Sequence, residues 1–126
     1  VIDIDEEISQ QQYHNIKNDK YTFIIHRSFS GFGWCVFVKI NSDKFEDSFN
    51  GLSEYYFNNF DVTIDQSCKN QNRLRYISFD PDLFQNLKSN KFIAKNTKKF
   101  IELKNINFIF LHLAIWIDFL SYNNYC

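Results

Sequence analysis

The chain has 126 residues, of which 44% are hydrophobic and 19% aromatic, with a formal net charge of −1. That length suits one domain around a single core, and the near-neutral balance excludes a global basic footprint, so any nucleic-acid partner must be held by local patches or through metal. Cys35, Cys68 and Cys126 lie far apart with no CxxC or Cys/His spacing, which argues against a zinc site and a disulfide scaffold and fits a reducing, cytoplasmic setting.

The first element is VIDID, Val1–Asp5, where Ile2 and Ile4 alternate with Asp3 and Asp5 at the period of a strand. One face is greasy and the other carries two carboxylates. No Met is present, so the chain reads as a fragment beginning at or inside this strand, and its acidic opening is no signal peptide. Glu6–Asp19 is polar with anchors at Ile8, Tyr13 and Ile16, which predicts a helix. Tyr21–Ser28 and Trp34–Ile40 are β-rich and flank a short SGFG turn, the pattern of a hairpin.

Ser42-Asp43 is positioned to cap a helix over Lys44–Phe60, where Phe45, Phe49, Leu52, Tyr56 and Phe60 recur at spacings of three and four. Tyr55, Tyr56, Phe57 and Phe60 could serve as base-stacking platforms, but at helical spacing they are read as mostly core and are not counted as site residues. In NRLRYISFD, Leu74, Tyr76 and Ser78 alternate with Arg75, Ile77 and Phe79, predicting a strand ended by Asp80-Pro81. Lys88–Lys104 is Lys- and Asn-rich and reads as helix or linker. Ile106–Leu120 is strongly apolar but only 15 residues long and contains His112 and Asp118. A membrane span needs roughly 20 residues, so a buried or partner-facing helix is expected and no membrane partner.

The order β-α-β-β-α-β predicts an α+β, ferredoxin-like (RRM-like) core over 1–87. It has an antiparallel sheet, helices on one face, and a helical or linker extension over 88–126. In that topology the first and last strands lie side by side, which would bring Asp3 and Asp5 near Asp80. Three carboxylates on rigid strands are what two divalent ions need to clamp an in-line phosphoryl or nucleotidyl transfer. DxD alone is a weak pattern. Two further stretches add to it: HRSFSGFGW, His26–Trp34, a Gly-containing turn that can present N–H groups to phosphate, and SCKNQNRLRYISFDPD, Ser67–Asp82, with Lys69, Arg73 and Arg75 ahead of Asp80. Each alone also fits a plain hairpin or a solvated strand edge.

Together, DID, then SFSGFG leading into a hydrophobic strand, then LSEYYF…IDQSCKNQNRLRYISFDPDLF, resemble the N-terminal domain of the virulence-associated protein E family over residues 1–85. That family is related to the archaeo-eukaryotic primase (primase-polymerase) superfamily. The resemblance implies a first motif at Asp3 and Asp5 and a third at Phe79-Asp80, so that Asp3, Asp5 and Asp80 would be catalytic and hold Mg2+ or Mn2+. It implies a phosphate-binding turn at Ser28, Ser30, Gly31 and Gly33, with Cys35 where relatives carry His or Lys, and Arg73 as a cation against triphosphate or template. A neutral thiol offers phosphate no charge-assisted contact, so Cys35 departs from the pattern.

Two functions follow as expectations. The first is metal-dependent nucleotidyl transfer by a phage or mobile-element replication protein. Its partners would be nucleoside triphosphates, a single-stranded DNA template and a helicase domain elsewhere in the full-length protein. The second is a catalytically impaired nucleic-acid-binding or assembly module with the same fold. A nuclease on the same carboxylates ranks third, and Trp34 and Trp116 are assigned no function.

Overall fold

The computed structural model describes residues 1–76 and 78–95. In chain order the elements are β1 (Ile2–Ile4), α1 (Gln10–Lys17), β2 (Thr22–Arg27), β3 (Trp34–Val38), α2 (Phe45–Phe60) and β4 (Phe84–Gln85), with 3-10 turns at Ser42–Lys44 and Gln66–Lys69. The strands form one antiparallel sheet in the order β1-β3-β2-β4. The fold is therefore α+β, with a four-stranded antiparallel sheet and two helices.

Strand parity sorts the sheet into two faces. Ile2 pairs with Val36 and Val36 with Ile25, and all three are buried with Ile4 in one core cluster. From the helices, Ile16 of α1 and Phe49, Leu52, Tyr56 and Phe60 of α2 join that cluster, as the three-and-four spacing requires. On the opposite face Asp3 pairs with Cys35 and Cys35 with His26, a row of polar side chains across three strands.

Local chemistry fixes the element ends. α1 starts at Gln10, later than the Glu6 expected, because Ser9 and Gln12 close a capping box: the Ser9 hydroxyl accepts from the Gln12 N–H (3.1 Å) and Gln12 Oε1 from the Ser9 N–H (2.8 Å). Gln12 Nε2 also donates to the carbonyls of Phe60 (3.0 Å) and Asp61 (3.2 Å), tying α1 to the end of α2. The expected cap at Ser42-Asp43 is instead a 3-10 turn, and α2 begins at Phe45 with no side-chain cap bond. In the hairpin, Gly31 takes φ +78°, and a Cβ on Gly33 would run into the Ile4 carbonyl oxygen of the neighbouring strand.

The expected strand at 74–79 is corrected: among the described residues of that stretch none is a strand. The structure does not keep the alternation. Arg75 reaches Asp3 and Cys35, and Ser78 Oγ donates to the Arg27 carbonyl (2.7 Å), so the polar side chains grip the open face of the sheet. Leu74, Tyr76 and Phe79 face solvent, at 93%, 84% and 93% exposure. The segment thus crosses from β1 to β2 instead of extending the sheet beside β1. The fourth strand forms beyond Asp80-Pro81 on the far edge, Phe84 pairing with Ile25 and Gln85 with Ile24.

The compact unit runs to Ala94, past the boundary expected at 87. Phe92 is buried against Tyr21 and Tyr55, and its N–H donates to the Lys39 carbonyl (2.8 Å). Residues 88–95 contain no helix, so the described part of Lys88–Lys104 is the non-helical alternative. The helical extension, the apolar tail, Trp116 and Cys126 lie outside the described residues. Among the described residues no helix is long and apolar enough to cross a membrane.

Candidate functional site

Asp3 is the centre of the open face. Its carboxylate pairs with the Arg75 guanidinium, accepts from the Cys35 thiol (3.2 Å) and the Cys68 thiol (3.3 Å), and lies 3.9 Å from Arg73 Nη2. Burial pushes the Asp3 carboxyl up. The Arg75 hydrogen bond, the two thiols and the Arg75 charge outweigh it, and the group ends below its ordinary value. The same carboxylate and the lack of water push the Cys35 thiol up to about 12, burial being the larger cause.

A second carboxylate, which sequence reasoning passed over, completes the cluster. Asp65 opens the turn Gln66–Lys69. Its N–H donates to the Asp3 carbonyl (2.9 Å), which pins the turn to β1. Its side chain accepts from the Ser67 hydroxyl, from the Ser67 N–H (2.9 Å) and from Arg73 Nη1 (3.1 Å), which hold its pKa down at about 2. Asp3, Asp65 and Cys68 offer ligand atoms within 4.8 Å of one another. Arg73 and Arg75 close the arrangement, donating to Cys68 Sγ at 3.3 and 3.1 Å. Two carboxylates and two guanidiniums offset each other's charge, which is what allows the cluster to sit half-buried.

The sequence-predicted residues do not all meet there. Asp3, Cys35 and Arg73 do. Asp5 is exposed at the end of β1 and lines a shallow recess with Glu6, Thr63, Ile64 and Asp65. Asp80 closes the turn after the crossing segment, accepting from the Arg27 N–H (2.7 Å) and the Asp82 N–H (2.9 Å). It lines a cleft of about 860 Å3 with Tyr13, Lys17, Arg27 and Trp34, where Trp34 carries the Tyr13 ring at 4.3 Å and the Arg27 guanidinium at 3.8 Å. Arg27 belongs to β2, two strands from Asp3 in the sheet.

The hairpin turn is internally satisfied. The Ser28 N–H donates to the Gly33 carbonyl (2.9 Å), Gly31 N–H to the Ser28 carbonyl (2.9 Å) and Gly33 N–H to Ser28 Oγ (3.1 Å), while Ser28 and Ser30 share a hydroxyl bond (3.0 Å). Those amides are not aimed at an outside anion. What the turn does present is aromatic: Phe29 and Phe32 are 74% and 82% exposed, and the Phe29 ring lies 5.7 Å from that of Tyr76.

The resemblance implies Mg2+ or Mn2+ at Asp3, Asp5 and Asp80. Such hard ions take oxygen ligands in near-octahedral array. Asp3, Asp5 and Asp80 stand in three surroundings, and the oxygens of Asp3 are engaged by a guanidinium and two thiols. The three carboxylates do not fit a shared two-metal clamp. No protein-family model, curated protein or solved structure matches the chain.

Proposed function

We propose that this chain is a nucleic-acid-binding or assembly module on a primase-polymerase-like scaffold, serving a phage or mobile-element replication protein. The observation that carries this reading is the neutralised Asp3: paired with Arg75 and two strands from the residue that binds Asp80, it leaves no convergent triad for phosphoryl chemistry. The finer ferredoxin-like assignment belongs to the same proposal. It is supported by the β1-β3-β2 order and the two helices contributing to one core cluster, with the fourth strand moved to the other edge. Single-stranded nucleic acid is the partner that suits exposed rings on the turn and crossing segment, because every base has a face to stack. A replication role brings with it the cytoplasmic setting, nucleoside triphosphates and helicase domain expected from the sequence.

The test is fluorescence anisotropy of a single-stranded oligonucleotide at low salt. Each productive stack contributes on the order of 1–3 kcal/mol, so Phe32→Ala and Tyr76→Ala are each expected to weaken binding about 5- to 150-fold. Absence of binding, or binding by both variants as tight as that of the wild type, sinks the reading. Metal-dependent nucleotidyl transfer is kept as a second reading because Asp3 and Asp65 do converge. Its test is nucleotide incorporation with Mg2+ or Mn2+, abolished by Asp3→Asn.

A further inference from the structure

The crossing segment turns polar side chains to the protein and apolar ones to water. We propose that residues 70–80 form a strap latched by charge, which opens while the sheet stays folded. Opening uncovers the Asp3–Cys35–His26 row and carries Tyr76 away from Phe29. The strap itself stands apart from the nucleic-acid reading; its control over stacking rests on that reading.

Three observations carry it. Both ends are fixed: Cys68 is buried in the core cluster, and Phe84 pairs with Ile25 and packs against that cluster. Between them the strap is held down through side chains. Arg75 pairs with Asp3, Arg73 with Asp65 (3.1 Å), Ser78 Oγ donates to the Arg27 carbonyl, and Asp80 accepts from the Arg27 N–H. Among the described residues no backbone–backbone hydrogen bond joins 70–80 to the sheet, and the Arg73 N–H turns back to the Asn70 carbonyl (3.3 Å). Finally, Leu74, Tyr76 and Phe79 take no part in the core cluster, so opening gives up little apolar burial.

What lies beneath makes opening consequential. Cys35 and His26 are buried, with Arg75 Nη1 3.9 Å from Cys35 Sγ and Ser78 Oγ 3.4 Å from His26 Nδ1. An open strap therefore admits water and reagents to Cys35 without disturbing Ile25 and Val36, which belong to the core on the other face. On the outer side, the Phe29 and Tyr76 rings lie 5.7 Å apart while the strap is down. One latch thus sets both the cover over the polar row and the pair of rings offered to a base.

The probe is iodoacetamide, with labelling at Cys35 followed by peptide mass spectrometry in rising urea. An opening confined to the strap exposes little surface, so the Cys35 rate should be nearly independent of urea below the unfolding transition. Arg75→Gln should speed it about tenfold or more, while β2 and β3 amides stay protected from hydrogen exchange. Burial and Asp3 push the Cys35 thiol up and the Arg75 charge pulls it down, so removing that charge alone would slow the reaction. A faster rate therefore reports access. Ser78→Ala, which leaves Asp3, Cys35 and Arg75 in place, should speed labelling to a lesser degree. A wild-type rate that climbs with urea as steeply as global unfolding, or one that neither variant raises, overturns the strap. For a single-stranded oligonucleotide, Arg75→Gln should weaken binding, and Tyr76→Ala added to it should cost less than about twofold more. A further cost as large as in the wild type overturns the control of stacking. If the wild type binds no oligonucleotide, the nucleic-acid reading falls and the Cys35 rates alone judge the strap.

Discussion

Replacing Arg75 by Gln isolates the pair on which the crossing segment depends. The substitution leaves the Asp3 carboxylate with its thiol donors and the more distant Arg73, but without its guanidinium. An exposed ion pair contributes about 0.2–1 kcal/mol, and stripping one partner from a fully buried pair costs about 3–5 kcal/mol. Here the side chains are 22% and 14% exposed, between those limits. The expected loss is about 2 kcal/mol, or a fall of roughly 6–10 °C in Tm for a domain of this size. The pH dependence gives a signature that simple loss of packing does not. Asp3 has a depressed pKa in the folded state. The stability it contributes is therefore full above the unfolded carboxyl value of about 3.9 and is lost as pH falls through the lower folded value. Urea denaturation of wild type and Arg75→Gln should differ most at pH 7 and converge below about pH 4. Asp65 titrates in both proteins and cancels in the difference. A deficit under about 0.5 kcal/mol at pH 7, or one that persists undiminished at pH 3, refutes the argument.

Gly33→Ala should destabilise by about 1–3 kcal/mol, because the new Cβ meets the Ile4 carbonyl oxygen and must push β1 off β3. Gly31→Ala, with open space around it but φ +78°, should cost only about 1–2 kcal/mol from backbone strain; thermal melts that reverse this order would contradict the packing described. Ser89→Ala should be neutral or stabilising by up to about 1 kcal/mol, since the buried Ser89 hydroxyl has no hydrogen-bond partner among the described residues; a clear destabilisation by urea titration would reveal one. Burial and Asp3 raise both Cys35 and Cys68. Their alkylation near pH 8, followed by peptide mass spectrometry, should therefore run at least about 100-fold slower in native than in unfolded protein. Native rates within about tenfold of unfolded ones would place these thiols in solvent.

Periodicity made the interior of this fold legible. Ile2 and Ile4, Ile25, Val36, and the row from Phe49 to Phe60 are buried where the two periods put them. The last strand was misread because the alternation is not kept: Arg75 and Ser78, of opposite parity, both reach the sheet. In NRLRYISFD the apolar side chains Leu74, Tyr76 and Phe79 face water, and the polar Arg75 and Ser78 face the sheet. Polar satisfaction at Asp3 and Arg27 overrode the usual burial of the apolar set.

The DxD motif failed for a related reason. Two residues apart on a strand share a face only while the strand continues. The β1–β3 register sets Ile4 opposite Trp34, so Asp5 falls opposite Gly33, where the hairpin turn begins. The pairing of β1 ends at Ile4, and Asp5 leaves with the chain into solvent. Asp65 takes its place because its own N–H bonds back to the Asp3 carbonyl. A second carboxylate thus reaches Asp3 from the turn at Gln66–Lys69 and brings Cys68 with it. Hairpin length, and not the spacing of the aspartates, therefore decides which groups share the Asp3 site. Lengthening β1 pairing past Gly33 is the structural change that would return Asp5 to Asp3's face.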